Sequence, residues 1–184
     1  MSSTSVCVVG LGYIGLPTAA ILASNGVEVI GVDINERTDE AVDRRAVRGG
    51  EPDLATYVAG AGTQGTRRAT TQPEPADGFI VAVPTPFTDG HRPDLSYIQA
   101  AAEAIAPHLS AEALVILEST SPPQATQQMA EWILAARPDL SLDGSEGRAR
   151  IHVAHCPERV LPGRVMIELV TIDRIVRGQT TSSD

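Results

Sequence analysis

The sequence contains no lysine. All 14 of its basic residues are arginine, set against 23 acids for a formal charge of -9. A surface that acidic repels nucleic acid and anionic membrane, so neither is an expected partner. Without lysine there is also no phosphate loop of the G-x-x-x-x-G-K type. Aromatic residues make up only 3% of 184 positions, so the core must be built from Ala, Val, Leu and Ile. Cysteine is scarce as well. Cys7 and Cys156 are the only two, and neither has a partner at metal or redox spacing. Cys7 lies in an apolar run and reads as a small buried hydrophobe, and a reducing, cytoplasmic setting is expected. No apolar run reaches the ~18 residues that would span a membrane. The start of the chain lacks a basic leader and is interrupted by glycines, so no signal peptide is expected. The lysine-free, acid-rich composition fits a high-salt or GC-rich source.

What is present suits one α/β domain. Hydrophobic residues reach 42%, enough for a core without disulfides or metal. Strand-like and helix-like runs alternate. "SVCVV" is a short strand ending at Gly10, and "IGLPTAAILASNG" is helical in composition with Gly26 as its C-terminal stop. "VEVIGVD" is a second strand, followed by two helical stretches, "NERTDEAVDRRAV" and "EPDLATYVAGAG". Residues 60–77 read as a polar loop. "GFIVAV" is a buried strand stopped by Pro84, and "DLSYIQAAAEAIAPHL" is an amphipathic helix with Asp94 as N-cap. "ALVILES" is another buried strand. "SPPQATQQMAEWILAARP" is a helix with Ser121 as N-cap and Pro122 in its first turn. Residues 137–149 read as a polar loop, "RIHVAHC" as a strand, "PERVLPGR" as a loop and "DRIVRG" as a last short strand. This rhythm predicts an α/β fold: a Rossmann-like, doubly wound parallel sheet in a single domain over residues 1–184.

Gly10, Gly12 and Gly15 form G-x-G-x-x-G between a strand and a helix. The first glycine permits a tight turn, the second lets a pyrophosphate approach the backbone, and the third lets helix and sheet pack closely. The helix N-terminus then offers amide groups and a partial positive charge to an anion. The same glycines also serve packing alone, and the spacing does not separate the two. Asp33 ends the second strand 23 positions after Gly10, where a carboxylate accepts hydrogen bonds from a ribose diol and repels a 2′-phosphate, favouring NAD over NADP. The competing reading is an acid that caps the next helix. Thr85, between two prolines, and Ser119 and Thr120 stand at the ends of buried strands, where ligands bind in such sheets. Thr126 falls in the first turns of the following helix. A rigid strand stop and helix capping are the alternatives for these hydroxyls. Glu158 and Arg159 follow the next strand, as a general base or water holder on one reading and a surface ion pair on the other. His152 and His155 point to opposite faces of a strand and make a poor metal pair, and His91 and His108 stand alone, so no metal is expected.

Six segments in order, "GLGYIGLPTA", "GVDIN", "EPDL", "VPTPF", "ESTSP" and "CPERVLPGR", resemble the N-terminal domain of the UDP-glucose/GDP-mannose dehydrogenase family. The wording of "AVPTPF" and "CPERVLPGRVMIELVTIDR" is closest to the branch acting on UDP-N-acetyl-D-mannosamine. The resemblance implies oxidation of the C6 hydroxyl of a UDP-sugar to a carboxylate, with two NAD⁺ and a thioester on cysteine. It implies that the backbone at Tyr13 and Ile14, with Gly10, Gly12, Gly15, Asp33, Thr85 and Thr126, holds NAD. Arg159 and Val160 are implied to touch the substrate, and Thr120 and Glu158 to sit by the reacting carbon, Glu158 helping a water to attack. The family's nucleophilic cysteine and its lysine lie in segments that do not match this sequence, as do its central helix and substrate domain. The resemblance therefore implies a cofactor half, with a companion chain or self-association as its expected partner; the alternatives are a stand-alone NAD-binding regulatory module and an inactive fragment. Two departures stand out: Gln124 and Arg177 each occupy a place where the family usually has glycine.

Overall fold

The computed structural model describes residues 4–34, 67–88, 90, 92–158, 165–171, 173 and 175–179. The helices expected at "NERTDEAVDRRAV" and "EPDLATYVAGAG", most of the "PERVLPGR" loop, and His91 lie outside the described residues. The elements run β1 (Ser5–Val9), α1 (Gly15–Ser24), β2 (Glu28–Val32), β3 (Arg67–Thr70), β4 (Gly78–Val81), α2 (Ser96–Ile105), β5 (Leu114–Leu117), α3 (Ala125–Ala136), β6 (Leu140–Ser141), β7 (Ala149–Arg150), β8 (His152–His155), α4 (Val165–Thr171) and β9 (Arg177–Gln179).

Seven strands form one sheet in the order β3-β2-β1-β4-β5-β8-β9. The first six are parallel; Cys7 of β1, for example, lies level with Ile30 of β2 and Phe79 of β4. The expected doubly wound parallel sheet is therefore present. Its last strand differs: β9 runs antiparallel to β8, with His155 opposite Arg177. The chain re-enters the sheet there from the carboxyl edge of β8, so it runs back along it.

Side chains leave a strand alternately to either face, and the core divides accordingly. Cys7, Val9, Phe79, Val81, Val115 and Leu117 meet Ile98 and Ile105 of α2 and Met129 and Ile133 of α3. Val8 and Val29, on the other face, meet Leu16, Ala19, Ala20 and Ala23 of α1 and Met166 of α4. Three alanines on α1 let it lie close to the sheet. Its end matches the expectation: Gly26, at φ 83°, donates to the Ala23 carbonyl and Val27 to that of Leu22, a Schellman stop.

Two helix starts differ from expectation. Helix α2 begins at Ser96 rather than at Asp94, yet the Asp94 carboxylate still accepts the Ser96 N–H at 2.9 Å. Helix α3 begins at Ala125, with Gln124 rather than Ser121 as its N-cap residue. The two prolines at 122 and 123 carry the chain through a turn, and Ala125 N–H bonds the Pro122 carbonyl. Strands β3 and β6 lie in stretches read as loops, and β7, which pairs with β6, straddles the boundary between the loop read over 137–149 and the strand read from Arg150. Among the described residues no helix is long and apolar enough to cross a membrane.

Candidate dinucleotide site

Strand order reverses between β1 and β4, since β2 and β3 lie to one side of β1 and β4, β5 and β8 to the other. The loops leaving β1 and β4 therefore diverge and open a crevice at the carboxyl edge, the usual ligand position in such sheets. The floor of that crevice is one residue row beyond the strands. Asp33, Gly10, Ala82, Glu118 and Cys156 each donate a backbone N–H to the last residue of the neighbouring strand (Thr70, Val32, Val9, Val81 and Leu117), at 2.8–3.2 Å.

The three glycines are not equivalent. Gly10 sits at φ 93°, and a Cβ there would meet the Ala82 carbonyl oxygen at 2.7 Å. A Cβ on Gly15 would collide with the Gly10 carbonyl, where α1 crosses the strand end. Both positions are required by the protein's own packing. Gly12 is not, because a Cβ there would meet nothing within 4 Å. Packing does not account for a glycine at that position, whereas a ligand lying against the backbone does. Tyr13 and Ile14 follow at the mouth of α1, with Tyr13 half exposed and no acidic residue in the helix's first turn to compete for an anion. Asp33 stands across the loop, and its Oδ2 accepts the Leu11 N–H at 2.8 Å. This bond fixes the carboxylate beside the glycine turn, while the helix that Asp33 would cap on the alternative reading lies outside the described residues. The cradle and its flanking acid together fit a dinucleotide.

On the other side of the switch point, the Thr85 hydroxyl donates to the Thr120 carbonyl at 2.6 Å, joining the loops after β4 and β5. Thr120 itself is exposed. Among the described residues, the Oγ atoms of Ser119 and Ser121 are buried without a hydrogen-bond partner. Thr126 is buried in the first turn of α3. Gln124 precedes it at φ 74°, the left-handed region that favours glycine, which explains why a glycine suits this place. Glu158 is half-buried two residues past Cys156. Arg159 and Val160 lie outside the described residues. His152 Nε2 pairs with Glu112 Oε2 at 2.8 Å at the opposite edge, and His155 Nε2 lies 3.4 Å from the Ser119 carbonyl.

Sequence reading missed Glu118. It is 2% exposed, and its Oε1 accepts the hydroxyl of Thr18, itself buried on α1, at 3.2 Å. The signal was available: an acid closes the buried run "LVILE" as Asp33 closes "VIGVD".

Over residues 4–184 the sequence matches the profile of the UDP-glucose/GDP-mannose dehydrogenase family, NAD binding domain. The NDP-N-acetyl-D-galactosaminuronic acid dehydrogenase of Ralstonia nicotianae is 58% identical over 177 residues, which are 96% of this chain and 42% of that protein. The UDP-N-acetyl-D-mannosamine dehydrogenase of Escherichia coli K12 is 51% identical over 181 residues, 98% of this chain and 43% of that one. Among solved structures, the UDP-N-acetyl-mannosamine dehydrogenase Cap5O from Staphylococcus aureus superimposes with a TM-score of 0.87 at 37% identity, covering 97% of this chain and 42% of its own. The chain thus spans less than half the length of these relatives.

Proposed function

Because this chain belongs to the UDP-glucose/GDP-mannose dehydrogenase family, we propose that it is the cofactor half of an NAD-dependent enzyme oxidising the C6 hydroxyl of a UDP-sugar to a carboxylate. UDP-N-acetyl-D-mannosamine is the proposed substrate. The one observation that carries the dinucleotide reading is Gly12, a glycine with open space where its side chain would be, set between a helix start and an anchored carboxylate.

The amides at Tyr13 and Ile14 bind the pyrophosphate, helped by the positive end of α1. Asp33 binds the adenosine ribose and repels a 2′-phosphate. Thr85 and Thr126 orient the nicotinamide half, and the Thr85–Thr120 bond keeps the loops after β4 and β5 at one spacing. When bound, NAD supplies the hydride acceptor. Thr120 and Glu158 face the reacting carbon, Glu158 holding a water, and Arg159 and Val160 touch the sugar nucleotide. The placement of these four residues rests on the resemblance alone.

The relatives above 50% identity carry two sugar names, N-acetylmannosamine and N-acetylgalactosaminuronic acid. The second sugar is the second reading, favoured by the 58% relative. Completion of the enzyme by a companion chain or a second copy is supported by Ile167, Val170, Ile175 and Val176, which are 49–63% exposed. The two buried cysteines and the absence of a membrane-crossing helix among the described residues support a cytoplasmic setting.

Titration calorimetry with NAD and NADP tests the cofactor reading. NAD should bind, and NADP should bind roughly tenfold or more weakly through repulsion at Asp33. Asp33→Asn should narrow that gap. Equal binding of the two cofactors by the wild-type chain, or no binding of either, would count against it.

A further inference from the structure

Gly31 has no part in the scheme above. It lies inside β2, and its φ is not positive, so no turn asks for glycine there. A glycine inside a strand weakens the strand unless another group needs the room. Gly31 sits level with Val8 of β1 and Ala69 of β3. It is two residues past Val29, which belongs to the core on the α1 face, so its missing side chain leaves a notch on that face. Leu11 fills the notch. The nearest atoms to a Cβ on Gly31 would be Leu11 Cδ1 at 3.0 Å, Cδ2 at 3.1 Å and Cγ at 3.6 Å.

Leu11 stands between the first two glycines of the turn. It is 3% exposed and belongs to the cluster of Val8, Leu16 and Ala19. Its backbone N–H is the donor that Asp33 Oδ2 accepts at 2.8 Å. One residue is thus held twice, by its side chain on Gly31 and by its amide on the acid two residues further along the same chain. Both methyls of Leu11 face Gly31 at nearly equal distance, so a turn about the last side-chain bond still leaves one of them there. A side chain at position 31 must instead lift Leu11 off the sheet by a few tenths of an ångström, and in a close-packed cluster the amide moves with it.

We propose that Gly31 and Leu11 are positioning residues that set the site's choice of dinucleotide: Gly31 leaves the notch, Leu11 fills it, and the seated Leu11 holds the Asp33 carboxylate where a free ribose diol reaches it. This rests on the dinucleotide reading above. Neither residue touches the ligand; both act through Asp33. A carboxylate held at one place accepts from a diol at fixed geometry, and a ribose that carries a 2′-phosphate has no free diol to offer. A carboxylate released from Leu11 swings, bonds the diol less well and leaves room for the phosphate. The preference for NAD over NADP therefore depends on a missing side chain in β2.

The test measures dissociation constants for NAD and NADP on wild type, Gly31→Ala and the double variant Gly31→Ala/Leu11→Val. In Gly31→Ala the Kd ratio, NADP over NAD, should fall by roughly three- to tenfold, the scale of one hydrogen bond to a carboxylate. A loss of stability alone would leave that ratio where it was. Valine ends at the depth of the leucine Cγ, 3.6 Å from the added Cβ, so the double variant should return the ratio to within about twofold of wild type. A folded Gly31→Ala chain with the wild-type ratio overturns the proposal and leaves the dinucleotide reading standing. A ratio that falls and does not return in the double variant also overturns it, because the effect then does not run through Leu11. If Gly31→Ala does not fold, Leu11→Ala decides. It empties the notch, so the amide at position 11 should exchange its hydrogen faster in the ligand-free chain and the ratio should fall; a wild-type ratio overturns the proposal. Failure of wild type to bind NAD and NADP removes both.

Discussion

At the scale of single residues, Gly15 and Gln124 make opposite demands on the backbone. At Gly15 any side chain runs into the Gly10 carbonyl, a backbone atom that cannot swing aside. Gly15→Ala should therefore lower stability by about 2 kcal/mol or more, because helix α1 must lift from the strand end; a melting temperature within a degree of wild type would contradict this packing. Gln124 holds a left-handed conformation, at φ 74°, without the freedom of glycine. Gln124→Gly should stabilise the chain by about 0.5–1 kcal/mol, read as a higher urea midpoint at unchanged slope. The family resemblance had marked this position as a departure without a cause, and its φ angle supplies one.

At the scale of elements, the sequence was legible where two signals coincided. β1, β2, β4 and β5 each pair an apolar run with an abrupt stop, and α1 has both its small residues and Gly26. β3 was illegible because "RRAT" is short, polar and at the sheet's edge, where neither face imposes a hydrophobic pattern. β6 and β7 escaped notice at two residues each. α4 was hidden in the long resemblance segment, although Met166 anchors it to α1. The glycines and Asp33 could be read because their spacing encodes the turn. Glu118 could not be weighed without Thr18, 100 positions away.

The ends of these elements also carry the chain's acid sensitivity. Asp77 accepts the backbone N–H and the hydroxyl of Ser5, joining the starts of β1 and β4, and these bonds hold its carboxyl below the ordinary range. Asp94 is lowered by Ser96, and Asp139 by Arg137. A carboxyl depressed in the folded state contributes stability that is present above its unfolded pKa, about 3.9, and is lost as pH falls through the folded value. Thermal melts should therefore fall off below about pH 4. Asp77→Ala should melt lower at pH 7 and lose less on acidification. An equal acid-induced drop in both proteins would argue against Asp77 as a contributor.

At the scale of the whole molecule, strand order reverses between β1 and β4, and the question is whether the opening there holds a dinucleotide or merely marks where strands diverge. Gly12 separates these possibilities, since a Cβ there would meet nothing in the protein within 4 Å. The direct measurement is calorimetric NAD titration of wild type and Gly12→Val, each with its melting temperature. The account predicts a Gly12→Val protein that melts within about 2 °C of wild type but binds NAD at least ~100-fold more weakly, since a side chain would fill the pyrophosphate's place. A stable Gly12→Val protein that binds NAD as wild type does would show that the glycine turn serves packing alone.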